Sequence, residues 1–270
     1  MKMFIRYLTI GIIFLVQFFQ TPLFAGAWAQ SKGHYYTKLT LIYSKADGLY
    51  GTNFPAEFND YSLYFYGEYG LLDRTTVILS LPSIKRSINE ANSVRGTTTG
   101  FLAGDFELQA KHQFLDRPLV ASALIGTKIP SVYNVEDFPP LGNGEIDFDA
   151  KLLLGTSLYP IPAYLTGDIG YRLRGGDFID EINFNFEAGY TFFEKYLIRF
   201  AATGIRSIKD SQGGSNLLGF PLAQKQYRIG GGIIYKLSSN FEFDVTYLNT
   251  IAGDNIPKAN EVFIGIVFKN

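Results

Sequence analysis

Apolar and polar residues alternate with a period of two along most of the chain. The segment 61–71 is the plainest example, because its odd-numbered positions are mainly apolar and its even-numbered positions carry hydroxyl, carboxyl and glycine groups. The segments 144–159, 164–174, 181–192, 227–237 and 241–247 repeat the pattern, and no segment has a convincing helical period. Alternation of this kind predicts β-strands with one apolar and one polar face.

Short turns and longer polar loops alternate between these strands. The short turns fall at 72–73, 115–117, 159–162, 193–195 and 238–240, and the longer loops fall near 46–59, 86–100, 130–144, 174–180, 208–225 and 251–259. This layout is typical of outer-membrane barrels. We therefore predict an all-β fold, a transmembrane antiparallel up-and-down β-barrel of about 12 strands with short periplasmic turns and longer extracellular loops.

The first residues have the pattern of a secretory signal peptide. Lys2 and Arg6 precede an apolar run, Pro22 follows it, and small residues come next. We assign residues 1–27 to the signal peptide, with cleavage after Ala25, Ala27 or Ala29, and 28–270 to a single barrel domain. The alternative, an N-terminal membrane anchor, fits the short apolar run less well.

Composition narrows the function. The chain of 270 residues has no cysteine and only 2 histidines, which argues against thiolate metal sites, disulfides and a histidine-rich metal site. The formal net charge is -1 and the chain has no run of basic residues, so the sequence does not predict the basic surface that binds nucleic acid. We expect no cofactor, no metal and no nucleic-acid partner.

A soluble periplasmic β-protein is the competing interpretation, since its strands would alternate too. Aromatic residues near the predicted strand ends favour a membrane barrel, where they form an interfacial girdle. The last strand ends with Phe268, two residues before Asn270, which is a degraded form of the aromatic ending that the barrel-insertion machinery reads. We expect outer-membrane lipid and that machinery as partners, and the outer membrane as the location.

The polar faces of the strands predict a charged lumen with balanced acids and bases. Its members are Glu68, Glu107, Lys111, Lys128, Asp147, Asp149, Lys151, Asp168, Arg172, Arg174, Glu187, Arg199, Arg228, Lys236, Glu242 and Asp244. Acidic and basic groups bunch on different strands, and we expect opposed walls of opposite charge. Such a lumen suits either a narrow passive channel for a small, unidentified solute or a plugged barrel that acts through its extracellular loops.

The sequence does not favour an enzyme. A lipid-facing hydrolase needs a nucleophile with a histidine base near the outer leaflet. The two candidates, His34 and His112, both fall at the periplasmic end, and no G-x-S-x-G is present. The run 230–232 is three glycines inside a strand, which indicates close packing or a bend and not a phosphate loop.

Several segments resemble one known family. These are 26–36 (GAWAQSKGHYY), 60–77, 104–115, Glu187–Tyr190 and the closing strand. The chain resembles the outer-membrane β-barrels named for transport in the meta-pathway of phenol degradation. The resemblance implies passage of small, aromatic compounds across the outer membrane. Because the opening segment of that family contains Gly26 and Trp28, the resemblance favours cleavage after Ala25.

Overall fold

The computed structural model describes residues 26–51, 57–89, 98–136, 141–209, 214 and 221–270. The predicted signal peptide up to residue 25 lies outside these ranges, as do parts of the predicted loops near 46–59, 86–100, 130–144 and 208–225. Across the same ranges, none of the helices is both long enough and apolar enough to be a membrane span.

Thirteen β-strands form one sheet in the described residues. They are β1 (Tyr35–Tyr50), β2 (Glu57–Leu72), β3 (Thr75–Asn89), β4 (Thr98–Leu102), β5 (Phe106–Leu115), β6 (Val120–Ile129), β7 (Asp147–Ser157), β8 (Ala163–Leu173), β9 (Glu181–Phe192), β10 (Tyr196–Ser207), β11 (Lys225–Lys236), β12 (Phe241–Asp254) and β13 (Ile256–Lys269).

The sheet closes on itself as an antiparallel barrel. Each strand pairs with the next in sequence except β4 and β5, and β1 pairs with β13 to join the two ends of the chain. Strand β3 pairs with β5 over residues 75–80 and with β4 over residues 85–89. Because β4 and β5 share one side of β3, the 13 strands fill twelve positions around the barrel. The predicted fold is confirmed.

One predicted loop is wrong. The polar segment near 251–259 contains Gly253 and Pro257 and was expected to be a long loop, but β12 runs to Asp254 and β13 begins at Ile256. Asn255 alone makes the turn, with a φ of 57°. Asparagine tolerates this left-handed conformation better than most residues. Beyond the pair Asn249–Asn260 the two strands no longer pair with each other, and β12 stays paired with β11 while β13 stays paired with β1.

Large apolar side chains cover the outside of the barrel. Leu41, Ile125 and Ile169 are each more than half exposed at 52%, 67% and 57%, whereas the neighbouring inward positions are mostly buried and often polar or charged. In a soluble barrel the two faces would be exchanged. An apolar belt around a closed, hydrogen-bonded sheet matches the hydrocarbon layer of a membrane.

The two ends of the barrel differ. The end that carries both termini has the short turns, and we call it the turn end; the other we call the loop end. At the turn end residues 26–30 fold into the lumen before β1 begins. Ala27 is fully buried and its carbonyl accepts a hydrogen bond from Ser122, while the Gly26 carbonyl accepts one from Lys111 at 2.8 Å.

Candidate functional site in the charged lumen

All of the predicted lumen residues are described, and all lie on the inward face of their strands except Arg174, which directly follows β8 and is buried inside the barrel. Those with less than a tenth of their surface exposed are Glu68, Lys111, Lys128, Asp147, Asp149, Arg172, Arg174, Arg199, Arg228, Glu242 and Asp244. Glu107, Lys151, Asp168, Glu187 and Lys236 are partly exposed within the barrel. Charges this deeply buried need partners, because an isolated charge out of water is costly.

Arg172 is the centre of a loop-end cluster. Its Nε and Nη2 atoms each lie 2.8 Å from a carboxylate oxygen of Asp149, which is a two-pronged ion pair, and Nη2 also lies 3.0 Å from Glu107. Asp149 and Arg172 face each other across the β7–β8 register. A two-pronged arginine–carboxylate pair is strong and geometrically specific.

A second loop-end cluster lies around Asp147, which is fully buried. Lys128 reaches Asp147 at 3.1 Å and Asp105 at 3.2 Å, and Arg174 reaches Asp147 at 3.3 Å and Glu181 at 2.6 Å. On a third side, Arg228 pairs with Glu261 at 2.9 Å. Ion pairs therefore fill much of the lumen at the loop end.

Residues between β6 and β7 fold back over this end. The Tyr133 hydroxyl donates a hydrogen bond to Asp105 and accepts one from the backbone N–H of Gly144 at 2.9 Å. Burial and the neighbouring Asp105 carboxylate raise the pKa of Tyr133 well above its usual value. The phenol therefore keeps its proton and remains the donor to Asp105 at neutral pH.

At the turn end Asp244 and Arg199 connect a third cluster. Asp244 contacts Lys38 at 2.5 Å and Arg199 at 2.8 Å, and Arg199 also contacts Glu187 at 3.2 Å. The Tyr164 hydroxyl donates a hydrogen bond to the same Glu187 carboxylate. Both of the Asp244 and Glu187 charges are therefore matched by basic groups.

The other turn-end carboxylates are engaged as well. Glu68 lies 3.5 Å from Lys111 and accepts a hydrogen bond from Gln30 at 2.8 Å. Asp168 accepts two hydrogen bonds from the Asn185 amide at 3.0 Å each and lies 4.0 Å from Lys151. Glu242 is paired with Lys269.

A cavity of about 560 Å³ lies in the turn-end half of the lumen, and we call it the chamber. Its wall includes the four aromatic residues Trp28, Tyr36, Tyr164 and Phe186 and, from the third cluster, the charged groups of Glu187 and Arg199. Trp28 stands edge-on to Tyr164, with ring centroids 6.2 Å apart. The complete lining is Gly26, Trp28, Gln30, Tyr36, Glu68, Ser157, Tyr164, Thr166, Gly167, Asp168, Asn185, Phe186, Glu187, Leu197, Arg199, Ile234, Lys236, Glu242 and Lys269.

Gly155 makes room for the residues that form one wall of the chamber. A Cβ atom at this position would lie 2.8 Å from the Trp28 ring and 3.2 Å from the Ala27 methyl. Real Cβ atoms essentially never come within 3.0 Å of another heavy atom, so the contact with the Trp28 ring excludes a side chain at this position unless Trp28 moves. The small residues on the polar face of β7 and the inward course of residues 26–28 therefore depend on each other.

The expectation of opposed walls of opposite charge is wrong. Asp149 and Arg172 lie on adjacent strands and contact directly, as do Arg199 and Glu187 on β10 and β9. Acidic and basic groups on neighbouring strands approach closely, because pairing in contact recovers more of the desolvation cost than separation across the lumen.

Sequence reasoning missed several members of these clusters. They are Trp28, Lys38, Asp105, Glu181, Glu261 and Lys269. Lys38 shares its strand face with Thr40 and Ile42, so alternation alone was a usable signal for it. Residues 26–33 have no periodicity at all, and nothing in their pattern indicated that Trp28 lies inside the barrel.

The fold and the lumen together define the class of protein. A closed antiparallel barrel with an apolar exterior, a charged interior and short turns at one end is an outer-membrane β-barrel, as predicted. The model of the family described as "Putative MetA-pathway of phenol degradation" matches residues 39–265, and the chain belongs to this family. The family resemblance noted in the sequence is confirmed.

Solved structures of outer-membrane proteins share the fold. The chain is similar to an outer membrane channel from Pseudomonas putida F1, with a TM-score of 0.69 and 16% identity over 91% of this chain and 98% of that one. It is also similar to the translocator domain of the autotransporter NalP from Neisseria meningitidis, with a TM-score of 0.54 and 10% identity over 88% and 89%. The chain is similar as well to the NanC porin, with a TM-score of 0.53 and 11% identity over 87% of this chain and 100% of that one. No curated protein matches.

Proposed function

We propose that this protein is a narrow passive channel for small solutes in the outer membrane. The observation that carries the proposal is the chamber of about 560 Å³ inside a closed barrel, lined by charged and aromatic groups. In this proposal the predicted lumen residues line the path of the solute. The solved structures to which the chain is similar include an outer membrane channel and a porin, which supports the same function.

Aromatic compounds are the solute class that we propose to test first. The family description refers to phenol degradation, and Trp28, Tyr36 and Tyr164 give the chamber aromatic walls. The lumen is too rich in charge to favour an apolar solute alone. A solute that combines a ring with a polar or charged group matches both properties of the wall.

Single-channel conductance of the refolded protein in a planar bilayer tests the proposal. We expect a small, steady current in the wild type and a larger one for Trp28→Ala, which removes a ring from the chamber wall. Tyr159→Ala is the matched control, because Tyr159 is 89% exposed in a turn outside the lumen and should leave the current unchanged. Current is compared only for protein whose gel mobility shifts on boiling, which shows that the barrel is folded.

A plugged barrel that acts through its extracellular loops is the second candidate. It is favoured by the loop-end ion pairs, in which the side chains of Arg172 and Asp149 are 1% and 0% exposed. Folded protein that carries no current, either as the wild type or as Trp28→Ala, would support this function and contradict the channel. Deleting loop residues near 130–144 should then abolish surface binding while the barrel still folds.

We propose no catalytic role. His112 is exposed and contacts the Thr75 hydroxyl at 3.0 Å, and His34 contacts the carbonyl of Asn270 at 2.9 Å. Neither contact supplies the carboxylate that orients a catalytic histidine beside a nucleophile. In assays of esterase and phospholipase activity, the folded wild-type barrel and the folded His112→Gln variant should hydrolyse the substrate at the same rate.

We also propose that β13 is the strand which the insertion machinery reads. Phe268 points outward, is 53% exposed, and packs edge-on against Phe241 with ring centroids 4.8 Å apart. Phe268→Ser should lower the yield of the protein in the outer-membrane fraction of cells. The control is Phe101→Ser, since Phe101 is also outward and exposed at 63% but lies far from the end of the chain.

A further inference from the structure

Lys236 differs from the other basic groups of the chamber. Each carboxylate on the chamber wall is paired with a basic side chain, as described above for Glu68, Asp168, Glu187 and Glu242. In the part of the chain that the structure describes, the Lys236 ammonium has no ion-pair or hydrogen-bond partner. The chamber therefore has one positive charge that no protein group balances.

The surroundings of Lys236 reinforce this charge. Lys236 stands opposite Glu242 in the β11–β12 register, but the Glu242 carboxylate is bound by Lys269 on β13. Two ammonium groups thus flank one carboxylate at this side of the chamber, and only that of Lys269 is in contact with it. Tyr36, which pairs with Lys269 in the β1–β13 register, adds a hydroxyl whose hydrogen-bonding capacity is unused within the described residues.

An apolar patch lies beside the unbalanced charge. Ile234 precedes Lys236 by two positions on the same face of β11, and Leu197 is its partner across the β10–β11 register. Both line the chamber, with the ring of Trp28 also in its wall. An inorganic anion would gain from the ammonium alone, whereas an organic anion with a flat apolar body would gain from both features.

We propose that the chamber is a binding site for a small organic monoanion with a planar ring, such as an aromatic carboxylate, and that Lys236 is the charge partner of the anion. The site deepens the proposed channel function by naming its solute class. Binding at this site is measurable without conduction, so failure of one proposal is distinguishable from failure of the other.

Trp28 supplies the measurement, because it is the single tryptophan of the chain and lines the chamber. Its fluorescence, excited where tyrosine does not absorb, is titrated with benzoate, with benzamide as the neutral molecule of the same shape, and with acetate as the anion without a ring. We expect a saturable response to benzoate, a weaker one to benzamide, and none to acetate in the same concentration range.

Lys236→Gln is the decisive variant, and Lys195→Gln is its matched control. Lys195 lies at the same end of the barrel but is exposed in the turn between β9 and β10, outside the lumen. We expect Lys236→Gln to weaken benzoate about tenfold, as for the loss of one partly screened charge pair. Benzamide should bind both variants as it binds the wild type, and Lys236→Arg should retain the affinity for benzoate.

Equal benzoate affinity in Lys236→Gln and the wild type would overturn the proposal, as would benzamide binding as tightly as benzoate. Variants are compared only after the heat-induced mobility shift has shown a folded barrel. Benzoate binding without any bilayer current would retain the site and contradict the channel. A bilayer current without benzoate binding that depends on Lys236 would retain the channel and contradict the binding site.

Discussion

At the scale of single residues, burial decides how much an ion pair contributes. Arg172 and Asp149 lie 2.8 Å apart and are almost completely buried, whereas Arg74 and Asp116 lie 2.7 Å apart and are both more than half exposed. The geometry is nearly the same in the two pairs. Water screens the exposed pair, while the buried pair has given up its hydration and depends on its partner.

The two arginines therefore make a matched test of stability. We expect Arg172→Met to lower the free energy of unfolding by about 3–5 kcal/mol, because Asp149 is left as an uncompensated buried charge. Arg74→Met should change it by less than about 1 kcal/mol. Urea unfolding in lipid vesicles measures both, and similar losses for the two variants would contradict the buried-pair argument.

The face of each lumen residue could be predicted from alternation, but its partner could not. Asp149 and Arg172 both fall on polar positions of their strands, so their inward direction follows from the sequence. Their pairing depends on the β7–β8 register, which is set by the turn at 158–162 and is not visible in either strand alone. The absence of an ion-pair partner for Lys236 depends on the arrangement of β11, β12 and β13 together, so it was harder still to predict from the sequence.

At the scale of elements, the strands were predictable and the segment before them was not. Period two identified nearly every strand because one face meets an apolar surrounding and the other a polar one. Residues 26–33 have no such constraint, since they are held by scattered contacts such as the hydrogen bond that the backbone N–H of Ala29 donates to the Gln113 side-chain oxygen at 2.9 Å. The loop near 251–259 was wrongly predicted because its glycine and proline lie inside strands that pair with β11 and β1.

The inward segment predicts where the signal peptide is cut. Lys111 is buried and donates to the Gly26 carbonyl, and Ala27 is fully buried beside Gly155. Cleavage after Ala27 or Ala29 would remove these groups and leave the Lys111 ammonium with Glu68 alone. We expect the intact mass of protein extracted from outer membranes to correspond to a chain that begins at Gly26. A chain that begins at Trp28 or Gln30 would contradict this assignment.

At the scale of the whole molecule, the barrel reverses the usual arrangement of a soluble protein. Charged groups such as Asp147 and Asp244 are fully buried inside, while leucine, isoleucine and phenylalanine cover the exterior. A closed sheet satisfies every ladder hydrogen bond without an edge, so the exterior needs no polar groups in the lipid. Charged residues make up only 18% of the chain, which follows because only one face of each strand meets polar surroundings.

This arrangement predicts that an outward charge is costly only where lipid surrounds the barrel. Ile125 is 67% exposed in the middle of β6, and Ile161 is 54% exposed in the turn between β7 and β8. In a bilayer Ile125→Arg should lower the free energy of unfolding by about 2–4 kcal/mol, as for a basic side chain near the membrane midplane. Ile161→Arg should change it little, because that turn lies outside the hydrocarbon layer. Urea titrations of both variants in vesicles make the comparison, and equal effects would indicate that water, not lipid, covers the middle of β6.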